Sequence, residues 1–226
     1  SFANLLELVA QVDPNLRVRF STSHPKDIHD EVLFVMKKYD NVAKHIHFPA
    51  QSGSTRILEK MNRTYTREWY EMKYNRIKEV LPNCSVSCDI ITGFCSETEE
   101  DHQATLDLMK VCPFEFSYMY FYSERPGTLA ARKYEDDIPE EIKKRRLTEV
   151  IEVQHDVARQ KNAAQEGKVH RVLVEMQSKK NKEEWMGRNE QNIKVIFPKE
   201  HYKMGDYVDV KIERSTITSL IGVGVS

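Results

Sequence analysis

The chain has 226 residues, with 34 Lys plus Arg against 35 Asp plus Glu, and four Cys. With 40% hydrophobic and 31% charged residues it has the composition of a folded globular chain rather than a disordered tail. Its length allows one large domain or a medium domain with a small one. No apolar run approaches a membrane span, and four Cys in so long a chain point to a reducing, cytoplasmic setting.

Residues 1–13 (SFANLLELVAQVD) lack the basic start of a secretory signal. They read as the last turns of an amphipathic helix that began earlier, so the chain is expected to be a piece of something longer. Val18–Thr22 reads as a strand that ends at Ser23-His24-Pro25, followed by a helix carrying Ile28, Val32, Leu33, Val35 and Met36. His45–Phe48 is a second strand. Ser54 is the N-cap of a helix to Met61, and Thr66 opens another helix that runs to Val80 and stops at Leu81-Pro82. Val86–Thr92 is a strand ending in Gly93, and Ser96-Glu97-Thr98-Glu99 marks a capped helix start. Phe116–Tyr122 is another strand. Strand and helix alternate at the spacing of parallel βα units, but only about four are visible, fewer than a complete barrel needs.

After Pro139 the pattern changes to one long helix, Glu140 to about Ala164, ended by Gly167. Five short strands follow within about sixty residues, the arrangement of a small closed β-barrel. Charge divides along the same line. Residues 1–140 hold 17 basic and 22 acidic residues, whereas residues 141–226 hold 17 and 13, a mild pointer to a polyanion at the C-terminal part.

Parallel βα architectures place functional groups at the C-terminal ends of strands. Those ends are Ser21-Thr22-Ser23-His24, Gln51-Ser52-Gly53-Ser54, Asp89 to Gly93, and Tyr122-Ser123-Glu124-Arg125. Gln51 to Ser54 either presents polar groups to a ligand or is a capped loop. Asp89, in an otherwise apolar strand, needs a partner, either a ligand's ammonium group or an Arg. Arg63 has the geometry to clamp a carboxylate. Cys84, Cys88, Cys95 and Cys112 read as structural thiols, because Ile91 stands where a C-x3-C-x2-C motif needs its third Cys. His45 and His47 share one strand face, as in some metal-dependent barrel hydrolases, but no second metal-spaced cluster follows. In the C-terminal barrel, Arg188, Asn189, Asn192, Lys194 and Lys199 are mixed with Trp185, Phe197 and Tyr202, a combination suited to RNA phosphates and bases.

Four segments, taken in order, carry a family resemblance. They are His47-Phe48-Pro49-Ala50-Gln51-Ser52-Gly53-Ser54; Met61-Asn62-Arg63 with Tyr65-Thr66; Asp89-Ile90-Ile91-Thr92-Gly93-Phe94 followed by Glu97-Thr98-Glu99-Glu100-Asp101; and Tyr122-Ser123 with Arg125-Pro126-Gly127-Thr128. They resemble the radical-SAM methylthiotransferases, in the branch that modifies tRNA, over essentially the whole chain. The implied fold is α/β: the second half of a partial (β/α) radical-SAM barrel (1–140), a linker helix (141–164), and a small five-stranded antiparallel β-barrel of the TRAM, OB-like type (165–226).

The resemblance implies that a 4Fe–4S cluster on a C-x3-C-x2-C motif cleaves S-adenosylmethionine to a 5′-deoxyadenosyl radical. The target is C2 of N6-isopentenyladenosine beside the tRNA anticodon, and a second 4Fe–4S cluster delivers the methylated sulfur. S-adenosylmethionine contacts are implied for Gln51, Arg63, Asp89 and Thr22, and RNA contacts for Arg188, Asn189, Asn192 and Lys194. The implied partners are the tRNA anticodon stem-loop, the N-terminal part of the same enzyme and an electron donor, with no membrane and a monomeric state. Departures are plain: there is no C-x3-C-x2-C motif, Cys95-Ser96 replaces a usual Pro-Thr, and His102 stands where an aromatic is common. Neither cluster finds its ligands here, and no catalytic residue or metal ligand is expected in this chain. Two other readings remain: a metal-dependent barrel hydrolase using His45 and His47, and an RNA-binding module without catalysis.

Overall fold

The computed structural model describes residues 1–22 and 24–225; Ser23, one of the strand-end residues above, lies outside them. Three parallel strands, β1 (His45–His47), β2 (Ser85–Thr92) and β3 (Phe116–Phe121), form a sheet in that order. Around it stand α1 (Phe2–Ala10), α2 (Asp30–Lys38), α3 (Thr55–Lys60), α4 (Arg67–Val80), α5 (Glu99–Val111), the short α6 (Leu129–Lys133) and α7 (Glu140–Ala163). Side-chain caps fix the starts of α3, α4 and α5. Ser54 accepts from Ile57 N, Thr66 accepts from Trp69 N, and Thr98 forms a capping box with Asp101.

Alternation along β2 separates two faces. Val86, Cys88 and Ile90 are buried against the helices, with Ile46, Phe48, Tyr70, Ile77, Leu108 and Phe114 in the same core. Each large apolar side chain buried there contributes about 1.5–3 kcal/mol. Ser87, Asp89 and Ile91 turn to the other face, where their neighbours on β3 are Phe116, Tyr118 and Tyr120. Those three aromatics are 48–55% exposed. That face is open.

The expected strand Val18–Thr22 reduces to a single parallel bridge between Val18 and Val42. Thr22 leaves the ladder to donate its hydroxyl to His47 O (2.7 Å), and His24 then caps a 3₁₀ turn begun by Pro25, which has no N–H to continue a strand.

The second unit is a closed barrel of β4 (Val169–Gln177), β5 (Glu184–Arg188), β6 (Lys194–Pro198), β7 (Tyr207–Ser215) and β8 (Leu220–Gly224), in the order β4-β5-β6-β8-β7. The antiparallel expectation needs correction, because β6 and β8 run parallel. Strands can alternate in direction around a ring only when their number is even, so a closed five-stranded barrel must contain at least one parallel pair. Its core is Val172, Val174, Val195, Phe197, Val208, Val210, Ile212 and Leu220.

Helix α7 lies along the sheet and ends at the barrel. Its buried stripe is Lys143, Arg146, Val150, Gln154, Ala158 and Asn162, four of them polar. Gln154 accepts from Ser117 Oγ (2.6 Å) and donates to Phe114 O (3.1 Å), while Asn162 donates to Thr216 O (2.9 Å) and Ile217 O (3.1 Å) in a barrel turn. The barrel is further held below the strands by Lys44 N to Glu190 O (2.7 Å), Ser85 Oγ to Gln191 O (2.6 Å) and Gln191 Nε2 to Asn83 O (2.7 Å). Among the described residues no helix is long and apolar enough to cross a membrane.

Candidate functional site

The C-terminal ends of β1 and β2 converge on Gln51. Its N–H donates to Asp89 O (2.8 Å) and its carbonyl accepts from Ile91 N (2.9 Å), so the loop after β1 is stitched onto β2. Gln51 has φ +71°. A side chain in the left-handed region costs about 1–2 kcal/mol and persists only where the surroundings enforce it. Next to it, Gly53 passes so close to α5 that a Cβ would lie 2.3 Å from Ala104 O, and Gly53 N donates to Thr105 Oγ1 (2.9 Å). Ser54 Oγ donates to Asp101 Oδ1 (2.6 Å), and Arg56 pairs with the same carboxylate. Burial raises the affinity of Asp101 for a proton, but the donors Arg56, Ser54 and Thr98 outweigh it and hold the carboxyl well below its ordinary range.

After β2 the chain turns at Gly93 (φ +68°). Gly93 N donates to Glu97 Oε2 (2.6 Å), which also accepts from Arg146 Nη1 of α7 (2.9 Å). Burial pushes the Glu97 carboxyl up, against the pull of Gly93 N–H and Arg146. This pair ties the turn beneath the site to α7.

Between these two loops lies a cleft of about 330 Å³ lined by Gln51, Lys60, Met61, Asn62, Arg63, Ile91, Phe94 and Tyr122, with Thr128 to Ala130. A second cavity of about 600 Å³ adjoins it along β3, sharing Ile91, Tyr122, Thr128 and Ala130. The Tyr122 hydroxyl is buried where the two meet, and burial beside Cys95 pushes it up to about 12. Gln51 and Arg63 therefore share one cleft. Among the described residues Arg63 has no acidic partner, leaving its guanidinium available to a carboxylate. Asp89 pairs with His47 Nε2 (3.3 Å) rather than with an Arg. Thr22 stands apart, its hydroxyl committed to His47 O.

On the open face, Ser87 Oγ lies 3.0 Å from His45 Nε2 and 2.9 Å from His47 Nδ1. The two imidazoles thus address a shared hydroxyl. The one His/Asp/Glu cluster with metal-like spacing among the described residues is Glu99, His102 and Glu149. Arg145 and Arg146 already bind Glu99, and Arg145 also binds Glu149, which makes that cluster an ion-pair network. His102 is buried as an ion-pair member (Nε2 to Glu149 Oε2, 2.7 Å), a polar stand-in for an aromatic.

All four cysteines are buried. Burial pushes the thiols of Cys84, Cys88 and Cys112 up to about 12, the opposite of what a cluster ligand requires. Gln51 and Arg63 instead offer an amide and a cation to one cleft, and Asp89 adjoins it through its backbone bond to Gln51.

In the barrel, Arg188 and Lys194 are cross-strand neighbours on β5 and β6. With Asn192 they border a crevice of about 370 Å³ whose opposite wall is His45, Ser85, Ser87, Phe116 and Tyr118 of the sheet. The cations thus face the open sheet. Arg188 is steadied by Asn192 O (2.8 Å) and Glu175 (3.4 Å). Two of the expected RNA-facing groups do not face outward. Asn189 is fully buried, and its Oδ1 accepts from Gln191 N (3.1 Å) and Ile193 N (2.9 Å), fixing the β5–β6 turn. Phe197 belongs to the barrel core. Trp185 is covered by Lys199, whose Nζ sits 4.8 Å from the ring centroid.

Ser87 escaped the sequence reading. Its signal was the run of polar residues at alternate positions Ser85, Ser87 and Asp89 in β2. Glu97 was read as part of a helix start and Asp101 only as part of the family-like segment, whereas each also holds a loop of the site.

The fold and site describe a radical-SAM α/β segment joined to a TRAM barrel, and comparison with known proteins agrees. Residues 2–109 match the Radical SAM superfamily and residues 163–225 match the TRAM domain. A solved Escherichia coli coproporphyrinogen III oxidase, described as a radical SAM enzyme, is similar in fold, with a TM-score of 0.54 at 15% identity over 84% of this chain and 50% of that one. The chain thus joins a Radical SAM superfamily segment to a TRAM domain. It is 56% identical over 223 residues to the tRNA-2-methylthio-N(6)-dimethylallyladenosine synthase of Amoebophilus asiaticus (98% of this chain, 46% of the relative). It is 53% identical over 224 residues to the protein of the same description from Flavobacterium psychrophilum (99% and 47%). The chain spans about half the length of these relatives.

Proposed function

We propose that this chain is the cofactor-facing half of the barrel and the RNA-binding unit of a cytoplasmic tRNA methylthiotransferase acting at C2 of N6-isopentenyladenosine next to the anticodon. The division at about residues 140 and 164 follows from this reading: barrel segment, connecting helix, TRAM barrel. The observation that carries it is a succession of cavities along one face of the sheet. It runs from the crevice of Lys194, Arg188 and Asn192, walled by Phe116 and Tyr118, past the cavity lined by Tyr120 to the cleft of Gln51 and Arg63, with Asp89 beside Gln51. Cations for phosphates, aromatic rings for unstacked bases and a polar cleft for an amino-acid-bearing cofactor are what such a reaction needs along a single path.

S-adenosylmethionine, when bound beside a 4Fe–4S cluster held outside this chain, supplies the radical chemistry, and a second cluster supplies the sulfur. Arg63 holds the cofactor's carboxylate, Asp89 its ammonium, and Gln51 a polar edge of the same molecule. Thr22 acts at one remove, by fixing the backbone at His47. Arg188, Asn192 and Lys194 meet the anticodon stem-loop, and Asn189 shapes the turn that presents them. Alone, without cluster ligands, the chain is inactive.

The test is made with the full-length protein carrying reconstituted clusters, a reductant and isopentenylated tRNA. Nucleoside mass spectrometry should show the methylthio product, with Arg63→Ala abolishing it. A full-length, cluster-loaded protein that gives no such product overturns the reading.

A further inference from the structure

The open face of the sheet carries a continuous hydrogen-bonded row: His45 Nε2 to Ser87 Oγ (3.0 Å), Ser87 Oγ to His47 Nδ1 (2.9 Å), and His47 Nε2 to Asp89 Oδ2 (3.3 Å). It begins beside the barrel crevice, which His45 and Ser87 line with Arg188 and Lys194, and ends at Asp89, whose backbone carbonyl accepts from Gln51 N (2.8 Å) of the cleft. No step of the proposed reaction uses its first three members.

The chemistry at one end orders the whole row. A carboxylate only accepts, so His47 Nε2 must carry a hydrogen to reach Asp89. In a neutral imidazole Nδ1 is then bare and must accept, and the only hydroxyl within reach is that of Ser87. Having donated its one proton to His47, Ser87 can only accept from His45, which places the His45 hydrogen on Nε2. Every donor in the row points toward Asp89.

His45 suits the far end. Burial, with the neighbouring His47 next in weight, pushes it down to about 4, so it stays neutral. The titratable and charged groups that face it from the surrounding elements are His47, Glu115, Arg188 and Arg19. Asp89 Oδ1 makes no hydrogen bond among the described residues and is left for a ligand.

We propose that His47 and Ser87 are positioning residues that hold the Asp89 carboxylate in one orientation through this one-directional row, with its second oxygen presented to the ammonium group of the bound amino-acid moiety. The ammonium assignment rests on the function proposed above; the order of the row does not. A third residue in such a chain fixes the tautomer of the second, the logic by which a carboxylate orients a histidine, here run from serine to carboxylate.

The experiment has two arms. Nitrogen-resolved NMR of the histidine rings in this chain, at neutral pH, should show His47 with a hydrogen on Nε2 and an accepting Nδ1, and His45 with its hydrogen on Nε2. In Ser87→Ala, and separately in Asp89→Asn, the His47 preference should relax to a mixture of tautomers while the thermal midpoint confirms a folded chain. A wild-type His47 found with its hydrogen on Nδ1, or a preference indifferent to both changes, overturns the ordered row, and the wild-type spectrum decides the first point even if a variant does not fold. In the full-length enzyme, Ser87→Ala should raise the S-adenosylmethionine concentration for half-saturation up to about tenfold, the upper end of the worth of one neutral hydrogen bond, with little change in kcat. Ser87→Thr should restore it. An unchanged half-saturation overturns the positioning role even if the tautomers are as expected. A failed methylthiolation assay leaves the NMR result standing, so the two readings fail separately.

Discussion

Replacing Arg146 by Met tests whether α7 is a structural clamp on the site. The Arg146 and Glu97 side chains are 5% and 1% exposed. The guanidinium donates to Glu97 Oε2 (2.9 Å), to Glu97 O (3.0 Å) and to Glu99 Oε2 (3.0 Å). In Arg146→Met the methylene volume is largely kept, but Glu97 is left as a buried carboxylate with Gly93 N–H as its remaining partner. Breaking one side of a buried pair costs about 3–5 kcal/mol. For a chain of this length that is a fall in Tm of about 6–20 °C. Glu97→Gln alone should cost about 1–3 kcal/mol, because the amide still meets both donors. The double variant should cost less than the sum of the singles by more than 1 kcal/mol, roughly the scale of coupling between contacting residues.

The pH dependence has a definite sign. Burial raises the folded-state pKa of Glu97, and losing Arg146 raises it further. A carboxyl whose folded pKa lies above its unfolded value binds more protons when folded, so its stability contribution falls as pH rises through that window. The Arg146→Met deficit should therefore shrink as pH falls from neutrality toward the ordinary carboxylate range. Urea unfolding of this chain at several pH values measures both quantities. A deficit under 1 kcal/mol, or one that does not change with pH, refutes the clamp.

Other outcomes follow from the same contacts. Lys194→Glu should weaken binding of an anticodon stem-loop RNA and lower the slope of log affinity against log salt by about 1 or more, measured by fluorescence anisotropy. Asn189→Ala should instead lower stability by about 1–3 kcal/mol in urea unfolding, because Gln191 N and Ile193 N lose their acceptor. His45, held at about 4 by burial against an ordinary 6.5, gives stability that is full above pH 6.5 and lost as pH falls toward 4. His45→Phe should flatten that part of the pH–stability curve, read by thermal unfolding. Finally, the buried thiols should resist a thiol reagent in the native chain and react only after unfolding.

Local structure was legible wherever a short-range rule sets it. Ser54, Thr66 and Thr98 announce helix starts because a side-chain oxygen three residues ahead of an amide needs no tertiary context. The barrel strands are legible because alternate positions enter one core. The parallel β6–β8 pair was not, since nothing within either strand encodes its neighbour, although five strands in a closed ring demand it. The role of α7 was hidden for a different reason. Its contact face is Lys143, Arg146, Gln154 and Asn162, which a search for apolar periodicity passes over. Gln51 and Asp89 could be picked out as strand-end polar groups, whereas Ser87, marked only by the polar alternation of β2, matters through two histidines on another strand.

Strand β3 shows where burial logic and functional demand part. Its sequence, FSYMYF, places Phe116, Tyr118 and Tyr120 on one face and Ser117 on the other. Hydrophobicity alone would bury the aromatics and expose the serine, yet Ser117 is 2% exposed under Gln154 while the three rings are 48–55% exposed. Forgoing burial of such rings gives up about 1.5–3 kcal/mol for each one fully covered, so the inversion is costly for this chain on its own. It is held in place because α7 supplies a hydrogen-bonding partner for Ser117 on one side, while on the other Phe116 and Tyr118 line the crevice that faces the barrel's cations and Tyr120 lines the cavity adjoining the Gln51–Arg63 cleft. The expense makes sense for a surface that gains its burial when an unstacked base lies on it. Aromatic faces hidden in a core would serve stability alone; under the proposed function, these are placed where an unstacked base supplies the missing contact.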